Sequence, residues 1–251
     1  MNSESYIDLI LQYYADNNIP VEVFVDGKTK DSTAATAQKY APVKIITNTS
    51  STIDGVIGDI SRAASTEWVL RFDDDELPSN ALMQFVTSAI NCDNADVYGF
   101  WRFQCAVSKD GDLLFSKEHS PKLHMQHRLY RPSKVKFISE IHTPGFSLYN
   151  IARGRHLTAP AMACCIHLDW AVHSYADRLE KVQGYEAHTL GSTSNWRAFY
   201  LYEDYINQKQ HSFAKFELQE FKKIASQIMT RLPSNCVDFV DEKSSDVDVG
   251  P

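Results

Sequence analysis

Four consecutive carboxylates, Asp73-Asp74-Asp75-Glu76, follow directly on the apolar run Trp68-Val69-Leu70-Arg71-Phe72. The run reads as a buried strand, and acids at its end are costly to bury without a counter-charge. Asp73 and Asp75, two residues apart where a strand delivers its C-terminus to a crevice, can share a hard divalent cation that prefers oxygen ligands and leaves positions open for phosphate. The plainer use of the same residues is a solvated acidic turn ahead of the helix that begins near Pro78-Ser79. A second strand, Val21 to Val25, also runs into an acidic, polar loop, Asp26-Gly27-Lys28-Thr29-Lys30-Asp31-Ser32-Thr33. Asp26 can only accept hydrogen bonds, either within its own turn or from a ligand, and Asp31 or Ser32 is placed to cap the next helix. Later in the chain stand Arg128 and Arg131, whose guanidinium forks match oxyanions but pair equally well with acidic strand ends. Glu140, His142, His167 and Asp169 complete the set of groups that could move a proton or hold a metal. His119, His124 and His127 have a loose metal-ligand spacing, but without a matching cysteine or acid pattern zinc is the minor reading.

The elements that must position these groups can be read from periodicity. Residues 4 to 16 carry apolar side chains at helical spacing until Asn17-Asn18 and Pro20 stop them. Val21 to Val25 reads as a strand, Ala34 to Tyr40 as a helix, Val43 to Ile46 as a strand, Ile53 to Ala64 as a helix, Trp68 to Phe72 as the acidic strand and Asn80 to Ile90 as a helix. This alternation predicts a doubly wound, mostly parallel α/β sheet with its functional residues at the carboxyl ends of strands. From Asp93 the rhythm changes. Val97 to Val107 and Leu113 to Phe115 flank the turn Lys109-Asp110-Gly111-Asp112 as a hairpin, Ala161 to Leu168 reads as strand-like, and residues 175 to 228 as mostly helical. The boundaries that follow are 1–92 for an α/β half, 93–175 for a mixed β region of the same domain, 176–237 for a helical region and 238–251 for a tail.

Composition narrows the classes of function. A chain of 251 residues that is 43% hydrophobic can bury an ordinary core, and a formal charge of −7 argues against a general nucleic-acid binder. Five acids against one lysine from Asp238 onward leave a net −4 in a Ser/Asp/Val/Gly-rich stretch, the composition of a disordered tail. Neither an apolar run of spanning length nor a signal-peptide pattern follows Met1, so a cytoplasmic setting is expected, with peripheral membrane contact at most. Five cysteines without CxxC spacing read as buried thiols.

With these residues in hand, roughly residues 2 to 190 resemble a GT-A-fold glycosyltransferase of the family 2 type. The family's first loop, V-D-D-G-S-T-D-G-T, is similar to Val25-Asp26-Gly27-Lys28-Thr29-Lys30-Asp31-Ser32-Thr33, and its Asp-x-Asp motif to Arg71-Phe72-Asp73-Asp74-Asp75-Glu76-Leu77. The R-L-F-R and Val-His-Glu segments of members acting on bacterial cell-surface polysaccharides are matched by Arg128-Leu129-Tyr130-Arg131 and by Glu140-Ile141-His142, where the acid lies on the other side of the histidine.

The resemblance implies a Rossmann-related sheet and transfer of a sugar from a nucleotide-diphosphate donor to a hydroxyl of a glycan or lipid-linked acceptor, with inversion and with Mn²⁺ or Mg²⁺. Asp26 and Asp31 would meet the nucleotide, Asp73 the ribose or the metal, Asp75 and His167 the metal, and Arg128 a phosphate. Glu140, or else Asp169, would be the general base. The family's initial strand has no counterpart before Asn2-Ser3-Glu4, so the sheet is expected to lack its first strand. The alternatives are a non-catalytic nucleotide-sugar-binding module and a sugar-phosphate nucleotidyltransferase. The latter favours a Gly-rich, basic phosphate loop that this N-terminus does not show.

Overall fold

The computed structural model describes residues 3–47, 53–64, 66–119, 125–138, 144–188, 196–206 and 212–239. In chain order the elements are α1 (Ile7–Asp16), β1 (Val23–Asp26), α2 (Thr33–Ala37), β2 (Val43–Ile46), α3 (Ile57–Ala63), β3 (Val69–Leu70), β4 (Glu76–Pro78), α4 (Asn80–Ala89), β5 (Val97–Val107), β6 (Leu113–Ser116), β7 (Met125–Tyr130), β8 (His156–Thr158), β9 (Cys164–His167), α5 (Asp169–Val172), α6 (Tyr175–His188), α7 (Trp196–Tyr200), α8 (Glu203–Ile206), β10 (Phe213–Lys215) and α9 (Lys222–Arg231). They form two compact units, residues 1–103 with 121–167 and residues 104–120 with 168–251. Both units are discontinuous in sequence, in contrast to the contiguous boundaries at 92, 175 and 237 read from composition.

The first unit is a mixed α/β body whose pairing departs from the expected parallel sheet. β1 and β2 pair in parallel as a separate two-stranded sheet, and β8 lies parallel to β5. β3 with β7, β5 with β7, and β4 with β9 are antiparallel. A parallel pair needs a crossover of a dozen or more residues, which the stretch containing α2 supplies between β1 and β2. Helical periodicity told where segments are helical and was silent on strand direction.

α1 buries Ile7, Leu9, Ile10, Leu11, Tyr13 and Tyr14, leaving little of its circumference polar. Ile7 and Leu11 pack on α2 and on Val23 and Val43 of the small sheet, while the Tyr13 and Tyr14 hydroxyls donate to the carbonyls of Pro78 (2.7 Å) and Glu76 (2.9 Å). α1 thereby ties the small sheet to β4. α4 presents Leu82, Val86 and Ala89, a single helical face, to Tyr98, Phe100, Leu129 and Cys165, and Leu70 and Phe72 of the acidic segment join that cluster. Its N-cap is Ser79, whose hydroxyl oxygen accepts from Leu82 N–H at 3.1 Å. At Gly99, where the β5–β7 register shifts, a Cβ would stand 2.8 Å from the Met125 sulfur and 2.9 Å from His127 Cδ2, so any larger residue there would displace one of those side chains.

The second unit joins the end of β5 to β6 and β10 by antiparallel pairing. Trp170 is fully buried against Tyr202, stacked at 4.4 Å, with Ala106, Leu114 and Val237 around them. β10 interrupts the stretch 175–228 that reads as helical. In the first unit Pro132–Lys134 is a 3₁₀ turn and Phe137 makes an isolated bridge to Phe146. Cys105, Cys164, Cys165 and Cys236 are buried free thiols as expected, but Cys92 is exposed. The acidic tail beyond Phe239 lies outside the described residues. Among those described, no helix is long and apolar enough to cross a membrane.

Candidate metal centre

β3 stops after Leu70, and the chain runs through Arg71-Phe72-Asp73 into a turn at Asp74-Asp75 before re-entering as β4. β7 lies antiparallel to β3 in a register that pairs Leu70 with Leu129, so Arg71 and Arg128 are opposite, and the Arg71 N–H donates to the Arg128 carbonyl at 2.9 Å. β9 lies antiparallel to β4 and pairs His167 with Glu76. The ends of β3, β4 and β9 and the interior of β7 thus deliver acids, arginines and a histidine to one place.

Glu76 is completely buried. Arg128 donates through Nη1 to its Oε2, and Arg102 Nη1 lies 3.2 Å from its Oε1. Arg128 also donates through Nη2 to Asp73 Oδ2 (2.9 Å) and through Nε to Gln126 Oε1 (3.1 Å). The Asp73 N–H donates to Glu76 Oε2 at 3.1 Å. Charge-assisted bonds of this kind are what make a buried carboxylate tolerable. Burial pushes the Asp73 carboxyl up, but Arg128, then Arg71, His167 and Arg102 more than offset it and hold it well below the usual carboxylate range. Burial, then the Arg128 charge, lowers the Arg71 pKa.

His167 Nε2 stands 3.3 Å from Asp75 Oδ2, with the two side chains 6% and 5% exposed. Neighbouring ligand atoms on an octahedral ion with bonds of about 2.1 Å lie about 3.0 Å apart, so the pair is close to the spacing a metal requires. A carboxylate and imidazole donor set suits Mn²⁺ better than Mg²⁺. The Asp73 side chain is more open, 40% exposed. Asp75 and His167 fit as two ligands of the divalent cation expected from the sequence, whereas the Asp73 carboxylate is held by Arg128.

The other candidate residues have local work. Asp74 accepts from the Tyr6 hydroxyl at 2.8 Å and from Ser3, whose N–H donates to Thr33 Oγ1 at 2.9 Å. Asp31 accepts from the Thr33 hydroxyl (2.6 Å) and N–H (3.0 Å) and from Glu4 N–H (3.0 Å), so its carboxylate clasps the start of α2 to the N-terminal turn. Asp26 accepts from Lys28 N–H at 2.9 Å, ordering the loop after β1. In the second unit Asp169 is fully buried, 2.6 Å from Lys181 Nζ and 3.3 Å from His173 Nδ1. It joins the first residue of α5 to α6. His119 packs edge-on against Trp170 and Phe199, and His127 packs against His156 with ring centres 4.5 Å apart. Arg131 pairs with Glu67, Asp93 and Asp96. Glu140, His142 and His124 lie outside the described residues.

Sequence reasoning missed Arg71 and Arg102 as members of this cluster and left Glu76 as an acid either facing solvent or standing behind the ligands. The signal was there. Each arginine interrupts an otherwise apolar strand, and a charge in such a position needs a partner when the strand is buried. No protein-family model matches this chain, and no curated protein matches it either.

Proposed function

We propose that the chain is a metal-dependent glycosyltransferase, moving a sugar from a nucleoside diphosphate donor to a hydroxyl of a glycan or lipid-linked acceptor with inversion at the anomeric carbon. The observation that carries this reading is the buried Asp75–His167 pair at 3.3 Å, two residues beyond the half-open Asp73, with Arg71, Arg102 and Arg128 beside them. Asp73, Asp75 and His167 would hold the cation, whose contribution is to neutralise charge on the departing diphosphate.

The chain's own residues have separable tasks. Arg128 spans Asp73 and Glu76 and fixes the orientation of the Asp73 carboxylate, so it acts as a positioning residue. Asp26, at the end of β1, offers an acceptor to the nucleobase. Glu140, matched through the family resemblance, takes the proton from the acceptor hydroxyl. Asp169 is sealed from solvent and held by Lys181, which suits a helix clamp better than a base that must meet an incoming hydroxyl.

Asp75→Asn tests the reading because it keeps volume and removes charge. Mn²⁺ affinity, followed by the paramagnetic resonance of the free ion, should fall at least about 10-fold, and Mn²⁺-dependent donor turnover should be lost. Unchanged Mn²⁺ affinity and turnover would eliminate the assignment. The separate β1–β2 sheet favours a second reading, a nucleotide-sugar-binding module without catalysis. That reading requires Mn²⁺-dependent donor binding by the unaltered protein with no turnover of any donor.

A further inference from the structure

We infer that Arg71 is an oxyanion ligand, holding a phosphate group of the donor diphosphate beside Asp73; the inference rests on the reading above for the identity of that anion. Antiparallel pairing of β3 and β7 sets Arg71 opposite Arg128, and like charges directly opposite on neighbouring strands are destabilising. The two guanidinium groups are treated differently. Arg128 is saturated by Asp73, Glu76 and Gln126. Arg71 makes no side-chain hydrogen bond among the described residues, and its Nε is sealed from solvent without a partner.

A guanidinium offers five donors in a planar fork and cannot shed its charge, so leaving it unbonded beside another arginine is a cost that the fold itself does not repay. The nearby acids are committed elsewhere: Glu76 to Arg128 and Arg102, Asp73 to Arg128, and Asp75 to His167. Arg71, Arg102 and Arg128 offset Asp73, Asp75 and Glu76, and even with the adjacent Asp74 counted a divalent cation would leave the cluster with excess positive charge. A diphosphate supplies the missing negative charge together with oxygens at the spacing a guanidinium fork accepts. Arg71 remains partly exposed as a residue, so an anion arriving from solvent can reach it.

The test is calorimetric titration of the full chain with inorganic pyrophosphate, in saturating Mn²⁺ and again in chelator, for the unaltered protein and for Arg71→Met. Methionine keeps much of the length of the side chain and removes the charge. The variant should bind pyrophosphate at least 10-fold more weakly in both conditions, about 1.4 kcal/mol, yet melt at the same or a higher temperature because the repulsion with Arg128 is gone. A merely structural arginine would show the opposite, lost stability, and that result would overturn the inference. So would equal affinity in the two proteins, or no pyrophosphate binding by the unaltered protein in either condition. Mn²⁺ titration without pyrophosphate reads the metal separately. No Mn²⁺ binding, combined with Arg71-dependent pyrophosphate binding in chelator, would sustain the oxyanion ligand and remove the metal-dependent reading.

Discussion

The unusual acidity of two residues in the first unit gives the protein a definite response to pH. His127 is half-buried beside a second imidazole, His156, and desolvation first, then that neighbour, lowers its pKa to about 4. In an unfolded chain the same ring titrates near 6.5. Above pH 6.5 both states hold it neutral. Between 6.5 and 4 the unfolded state takes the proton first, so stability falls as pH drops through that window and levels off below 4. Asp73 acts lower down, because its carboxyl is held below the usual range and its contribution is lost as pH falls below about 3.8. The His127 ring resonance in an NMR titration should therefore have its midpoint near 4, and His127→Gln should flatten the loss of melting temperature between pH 6.5 and 4. A midpoint near 6.5 would show that the ring is solvated.

Among the elements, the segment from the Asp74-Asp75 turn through β4 into α4 bears most directly on the site, since it carries Asp75 and Glu76 and then turns at Ser79. That serine is fully buried. Its hydroxyl accepts from Leu82 N–H, donates to the Met162 carbonyl at 3.1 Å and also accepts from Cys164 N–H at 3.3 Å, so one side chain caps α4 and holds the approach to β9. Ser79→Ala should cost about 1–2 kcal/mol in denaturant unfolding, toward the upper end for a cap because buried partners are left unmet. Because β9 carries His167, the same variant should also weaken Mn²⁺ binding. A cost below about 0.5 kcal/mol would mean that water replaces the hydroxyl. α4 itself was legible from the spacing of Leu82, Val86 and Ala89, whereas the cap at Ser79 emerged only from the structure. β4 was not, because three residues, one acidic and one proline, carry no strand signature.

Across the whole chain, stability should depend sharply on where the C-terminal segment is cut. Cys236 and Val237 are buried in the second unit, and Val237 exchanges backbone hydrogen bonds of 2.9 Å with Val107 and Lys109 at the end of β5. Deleting residues 240–251, which are charged and lack apolar periodicity, should leave unfolding free energy within about 0.5 kcal/mol. Deleting residues 236–251 should cost several-fold more and lower the melting temperature of the second unit. Equal melting of the two truncated proteins would contradict the burial of Val237.

The sequence by itself determined the features that depend on near neighbours in the chain. Apolar spacing located α1 and α4, alternation with a turn at Lys109 to Asp112 located the β5–β6 hairpin, and two aspartates spaced by one residue at the end of an apolar run marked the candidate metal centre. Only the tertiary structure decided which partners those residues meet. Strand direction depends on long-range pairing, so the parallel sheet that the alternating elements predicted became a largely antiparallel one. The partners of Glu76 arrive from β5 and β7, 26 and 52 residues away, and that of Asp75 arrives at the end of β9. Whether a charged side chain is a ligand, a clamp or an unmet donor depends on the partners available once it is buried. For Arg128 and Asp169 those partners come from other elements, and no local pattern records them.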